Sequence, residues 1–139
     1  MIEKVHHIAM AVKDLDRTLA VYADVLGLQG KVIEMDAYAV KLALLQVGDI
    51  LVEFIQPTSE NDPLGFAEFL REKGEGFHHM AYQVEDIENA LNVLRKNGIR
   101  LIDEKPKQGA DGLIAFVDKE SMGGVLVEIV EPPKTKDSK

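Results

Sequence analysis

The segment His6-His7-Ile8-Ala9-Met10-Ala11-Val12-Lys13-Asp14-Leu15 returns 72 residues later as His78-His79-Met80-Ala81-Tyr82-Gln83-Val84-Glu85-Asp86-Ile87. A second segment, Leu51-Val52-Glu53-Phe54-Ile55-Gln56-Pro57, returns 75 residues later as Leu126-Val127-Glu128-Ile129-Val130-Glu131-Pro132. Two echoes in the same order, at nearly one offset, mark a duplicated module. Two copies are too few for a solenoid. The expected arrangement is two modules packed about a pseudo-twofold axis. A chain of 139 residues has room for that pair in a single domain.

Each copy opens on a short apolar run followed by a helix signal. In the first, Asp14 or Asp16 caps a helix, and Leu15, Leu19, Tyr22 and Leu26 fall on one face before Gly27 ends it. In the second, Asp86 caps. Ile87, Ala90, Leu91 and Leu94 form the buried stripe, and Asn97-Gly98 closes the helix. Extended segments are expected at about 32–35, 38–47 and 50–55, and again at 100–103, 113–117 and 125–130. The class is therefore α+β, with the order β-α-β-β-β in each module. The first module runs over 2–57 and the second over 77–132. Between them, 58–76 reads as a helical linker, with Pro63 at the first helical position, Phe66, Phe69 and Leu70 as apolar contacts, and Gly74 as terminator. The tail, 133–139, is polar and is expected to be flexible.

Composition removes several kinds of chemistry. There is no cysteine, so disulfides, zinc–thiolate sites, iron–sulfur clusters and thiol catalysis are out. Any metal must be held by nitrogen and oxygen. Acidic residues outnumber basic ones 24 to 16. That balance disfavours nucleic acid and anionic lipid as partners. The opening residues read as a strand, not a signal peptide, and no apolar run approaches a membrane span, so the expected location is cytoplasmic.

All four histidines lie in the two His-His pairs. Side chains alternate along a strand. His7, Ala9 and Ala11 therefore share one face, while His6, Ile8, Met10 and Val12 share the other and suit packing under the helices. The same division groups His79 with Ala81. Alanines leave room beside an imidazole, so His7 and His79 are the candidate functional residues, and His6 and His78 are read as packing groups. The alternative is a pair of hydrogen-bonded core histidines. Glu53 and Glu128 each sit in the middle of an otherwise apolar strand. A lone buried carboxylate costs several kcal/mol, so it needs a cation, a proton or several donors. The alternative for each is an edge strand with its carboxylate in solvent. Taken together, one imidazole and one carboxylate per module make an N₂O₂ set. Such a set suits Co²⁺, Ni²⁺, Zn²⁺, Mn²⁺ or Fe²⁺, and six-coordination would leave two positions for a chelating substrate.

Other features have plainer readings. Gly109-Ala110-Asp111-Gly112 opens no helix and reads as a turn. Met10, Met35, Met80 and Met122 are scattered and suit core or surface. Lys105 and Lys107 flank Pro106; they could meet an anionic substrate or be a solvated pair.

The duplicated order with His…Glu…His…Glu resembles the vicinal oxygen chelate (glyoxalase/bleomycin resistance/dioxygenase) superfamily. Within it, several stretches are similar to the methylmalonyl-CoA epimerase family: His6 to Val12, Leu26-Gly27-Leu28, Gly74-Glu75-Gly76-Phe77-His78-His79-Met80-Ala81-Tyr82, Gly98 to Pro106, and Gly123-Gly124-Val125-Leu126-Val127-Glu128-Ile129. The likeness runs from about Val5 to Pro132. It implies two modules sharing an incompletely closed, eight-stranded barrel-like sheet around one metal. The ligands, carried over by position, are His7, Glu53, His79 and Glu128. It further implies a divalent cation, cobalt foremost, a small acyl-CoA substrate and a homodimer. The implied reaction is interconversion of (R)- and (S)-methylmalonyl-CoA by proton transfer at C2, through a metal-stabilised enolate. Glu128 is then the candidate base, and Glu53, or a water, the candidate for the opposite face.

The sequence departs from that pattern at three places, one of them the stretch Gly109 to Ala115, which is a residue short and lacks the Arg or Lys expected after the glycines. Position 53 carries Glu, as in glyoxalase I, where epimerases can have Gln. The strand before it has Leu42 where a second catalytic acid is expected. A glyoxalase I-type isomerase acting on a hemithioacetal is therefore the alternative enzyme. A metal-free ligand-sequestering protein is the alternative of another class. Such proteins dispense with the His/Glu set, and their aromatic clefts fit poorly with 6% aromatic residues and no Trp.

Overall fold

A computed structural model describes residues 1–134 of the chain. The elements are β1 (Ile2–Ala11), α1 (Leu15–Tyr22), β2 (Gly30–Met35), β3 (Val40–Val47), β4 (Ile50–Pro57), α2 (Phe66–Lys73), β5 (Gly76–Val84), α3 (Ile87–Lys96), β6 (Lys107–Gly109), β7 (Gly112–Val117) and β8 (Val127–Glu131). The α+β class and the repeated β-α-β-β-β order are as expected. Of the tail anticipated at 133–139, the part after Lys134 lies outside the described residues. Among the described residues, no helix is long and apolar enough to cross a membrane. The described residues group into two compact units: His7–His78, and Met1–His6 with the described residues from His79 onward.

In the unit His7–His78 the strands follow the order β2-β3-β4-β1. The β2/β3 and β3/β4 pairs are antiparallel, and β4/β1 is parallel. One face of these strands packs under α1. Val12, Leu15, Ala43, Leu45 and Phe54 are buried there, with Met10, Leu19, Leu28 and Val52 partly buried against them. Each fully buried apolar side chain contributes roughly 1.5–3 kcal/mol relative to exposure. Asp14 caps α1 by accepting the Arg17 N–H at 3.1 Å, and the Gln56 Oε1 accepts the Leu15 N–H at 2.7 Å. These bonds satisfy two of the donors that a helix start leaves open.

The helix stops at Tyr22, short of the expected Leu26, which is exposed. The cause is a widening of the last turn. The Asp24 and Leu26 N–H groups reach back five residues, to Leu19 and Val21, and the Leu28 N–H reaches six, to Tyr22. Gly27, at φ 77°, supplies the left-handed residue that such a closure needs. Tyr38, expected in a strand, lies in a short 3-10 turn, Asp36–Tyr38, before β3 begins at Val40. The linker helix starts at Phe66, so Pro63 is not its first residue. Asp62 starts it from a distance: its two carboxylate oxygens accept the Phe66 and Ala67 N–H groups at 2.7 and 2.8 Å.

In the other unit the order is β5-β8-β7-β6, with β5/β8 parallel and β8/β7 and β7/β6 antiparallel. Helix α3 begins on the predicted Asp86 cap, whose carboxylate accepts the Asn89 N–H. Glu131 Oε1 accepts the Ile87 N–H at 3.1 Å, repeating what Gln56 does for α1. Ile87, Ala90 and Leu91 are buried with Val84, Leu101, Ala115, Val117, Val127 and Ile129. The strand expected over 100–103 is absent. A single bridge joins Leu101 to Val117, and the paired segment is Lys107–Gly109. Asp103 accounts for the shift, because its side chain, not a strand backbone, accepts the Phe116 N–H at 2.8 Å. Gly109 to Gly112 is the turn of the β6/β7 hairpin, as read from the sequence.

Candidate metal centre

The parallel pair β1/β4 sets Ala9 opposite Glu53. His7 lies two residues before Ala9 and therefore shares its face, away from α1. The result is a His7 Nδ1 to Glu53 Oε2 separation of 3.3 Å. The parallel pair β5/β8 repeats this construction. Ala81 is opposite Glu128, His79 lies two residues earlier, and His79 Nε2 stands 3.5 Å from Glu128 Oε2. Ala9 and Ala81 are fully buried, and their short side chains leave the space that each imidazole and carboxylate fills.

Both glutamates lie on strands with a neighbour on each side, β3 and β1 for β4, β7 and β5 for β8. The solvated-edge alternative is thereby overturned. Exposure is 1% for His7, 2% for Glu53, 2% for His79 and 4% for Glu128. The other cross-strand neighbours are apolar: Leu44 opposite Glu53, and Phe116 opposite Glu128. Phe116 also stands edge-on to His79, with ring centroids 5.2 Å apart. Each unit thus carries a carboxylate in an apolar lining with an imidazole beside it. Charge there is costly unless a cation or proton compensates it.

The donor chemistry fits a divalent cation. An imidazole nitrogen and a carboxylate oxygen are the ligands that cobalt, nickel, zinc and manganese accept. Two ligand atoms each about 2.1 Å from one ion stand about 3.0–3.4 Å apart, octahedral to tetrahedral, and the two pairs here are separated by 3.3 and 3.5 Å. A direct charge-assisted hydrogen bond would be shorter, about 2.7–2.9 Å.

His78, read as a packing residue, lies against the rings of Phe66 and Phe69, 4.4 and 4.7 Å between centroids. Position 42 shares the Glu53 face of β3 and is a buried leucine, so β3 supplies no acid there. Sequence reasoning missed Gln56 and Glu131 as anchors of the two helices, although both lie inside the second echo. It also missed Phe116 as the ring beside His79.

A model of the Glyoxalase/Bleomycin resistance protein/Dioxygenase superfamily matches residues 6–117. The mitochondrial methylmalonyl-CoA epimerase of Mus musculus is 33% identical over 129 residues, spanning 91% of this chain and 71% of that one. The ethylmalonyl-CoA/methylmalonyl-CoA epimerase of Cereibacter sphaeroides is 32% identical over 133 residues, spanning 93% and 98%. The crystal structure of methylmalonyl-CoA epimerase from Mycobacterium tuberculosis matches with a TM-score of 0.88 at 31% identity, covering 96% of this chain and 90% of that one.

Proposed function

The chain belongs to the Glyoxalase/Bleomycin resistance protein/Dioxygenase superfamily, and we propose that within it this protein is a metal-dependent epimerase of methylmalonyl-CoA. Its relatives mark it as an enzyme of the epimerase type. The observation that carries the proposal is the buried His–Glu pair, built twice with the same register. In this reading His7, Glu53, His79 and Glu128 together hold one divalent cation, with cobalt the first candidate. That cation, when bound, supplies Lewis-acid stabilisation of negative charge growing on the substrate's thioester oxygen.

The protein's own residues then move the proton. Glu128, as carboxylate, takes the proton from C2 and becomes the neutral acid. Glu53, protonated, delivers a proton to the opposite face of the now planar carbon and becomes the carboxylate. Configuration at C2 inverts, one proton is lost and one gained, and the swapped protonation states serve the reverse reaction. A glutamate that carries the proton would loosen from the cation as it does so, since a ligand carboxylate must be deprotonated. Leu44 beside Glu53 and Phe116 beside Glu128 line the two carboxylates with apolar surface. Leu42 offers no competing acid.

A second enzyme reading is supported by the carboxylate at position 53 and the missing acid at 42: a glyoxalase I-type isomerase. Side-by-side assay of methylmalonyl-CoA and the hemithioacetal of methylglyoxal and glutathione decides between the two. Turnover of the first alone is the expected result; turnover of the second alone would replace the proposal. Metal analysis of the purified protein separates both enzymes from a metal-free binding protein. A cytoplasmic homodimer completes the proposal. Sedimentation at a mass near twice 15.4 kDa is the expected result.

A further inference from the structure

In the sequence Lys107 is one of two lysines beside Pro106. The structure gives it a defined place. Across the β6/β7 hairpin Lys107 pairs with Ile114, and Ile114 pairs with Val130 on β8. That row lies on the same face as Phe116 and Glu128, which pair two residues away. Its Nζ stands 3.1 Å from Asp103 Oδ1 and 5.4 Å from the centre of the Phe116 ring. The same ring is edge-on to His79. Asp103 is itself held, because its second oxygen accepts the Phe116 N–H. Asp103 and Phe116 together fix one ammonium on the face that carries His79 and Glu128.

A lysine in solvent keeps its rotamer freedom, and holding it costs that freedom. The Lys107 side chain is 30% exposed, partly covered and still reachable from solvent. An ammonium has three N–H donors. Asp103 takes one, and the ring attracts the charge without taking another in a hydrogen bond. The chain's net charge is −8, so a cation on this face matters for collecting an anionic ligand.

We propose that Lys107 is a specificity-determining residue that receives an oxyanion of the substrate, a carboxylate or a phosphate, beyond the Phe116 ring from the His79–Glu128 pair. This rests on reading that pair as part of the active centre. The test compares Lys107→Met and Lys107→Arg with the unaltered protein. Readouts are KM and kcat for methylmalonyl-CoA and for the methylmalonyl thioester of N-acetylcysteamine, which has no phosphates. The expected result for Lys107→Met is a KM raised about tenfold or more, the scale of a lost charge-assisted hydrogen bond. Little change in kcat and partial recovery in Lys107→Arg are also expected. A rise with both substrates assigns the acyl carboxylate; a rise with the CoA ester alone assigns a phosphate. A lowered Tm with KM unchanged for both substrates would show that Lys107 only braces Asp103, and would overturn the proposal. Calorimetric titration with malonate and with inorganic phosphate is independent of turnover. If the protein does not epimerise methylmalonyl-CoA, weaker anion binding by Lys107→Met still supports the role of Lys107, and equal binding overturns it.

Discussion

Glu128→Gln removes a charge while keeping nearly the same volume, so it tests the centre without opening a cavity. Glu128 is buried between Ala81 and Phe116, with His79 Nε2 3.5 Å away. Without a cation, the unaltered chain carries the desolvation cost of this carboxylate, several kcal/mol before compensation by His79. A neutral amide avoids it. Because His79 can stay a neutral imidazole, the exchange leaves no charge behind in the apolar lining, and 1 kcal/mol corresponds to about 3–5 °C in a chain of this length. In chelator, Glu128→Gln is therefore expected to melt at or above the unaltered protein. With cobalt at a hundred times its Kd, the unaltered protein gains about 2.7 kcal/mol, roughly 10 °C on the same scale. The variant, short of a charged ligand, gains much less, so the order of the two melting temperatures reverses. Epimerisation falls by about 10²–10⁴, the usual worth of a positioned base, or about 3–5 kcal/mol in barrier. Thermal melts in chelator and in cobalt, with a racemisation assay beside them, measure all of this. If the variant melts well below the unaltered protein in chelator, and cobalt shifts neither, Glu128 and His79 are a structural pair and the reasoning fails.

Other perturbations test the scaffold. Asp62→Ala leaves two amides at the start of α2 without their carboxylate; a loss of about 2–4 kcal/mol is expected by urea denaturation, with Asp62→Asn recovering part of it. Gly112→Ala should cost more than about 2 kcal/mol, because its φ is 127° and an added Cβ would come within 2.3 Å of the Glu131 carbonyl; a near-neutral melt would contradict this. Gln56→Leu and Glu131→Leu each remove the acceptor for the first amide of a helix. Losses of about 1 kcal/mol each are expected, with amide exchange quickening at Leu15 and Ile87 respectively.

Much of the architecture could be read from residues because the duplication states it twice. Asp14 and Asp86 cap as expected, and the Ile87, Ala90, Leu91 stripe is buried. The separation of His7 and His79 from His6 and His78 follows from strand alternation, and both glutamates are buried as an interior strand demands. What escaped the reading depends on contacts distant in sequence. Leu26 fits the helical spacing, but the widened turn after Tyr22 takes it out of the stripe. Pro63 suits a helix start, yet Asp62 reaches over it to cap Phe66 and Ala67. The strand expected at 100–103 is displaced because Asp103 bonds through its side chain. Lys107 gains its meaning from Phe116, a residue on another strand that no local pattern ties to it.

Deuterium exchange at C2 of methylmalonyl-CoA, followed with the metal-loaded protein and again after chelation, bears most directly on the central claim. Solvent deuterium should enter C2 as the two epimers interconvert, stop on chelation, and resume when a divalent cation is restored at one ion per chain. Exchange that continues undiminished in chelator, or no exchange by protein carrying its metal, would contradict a centre made of His7, Glu53, His79 and Glu128.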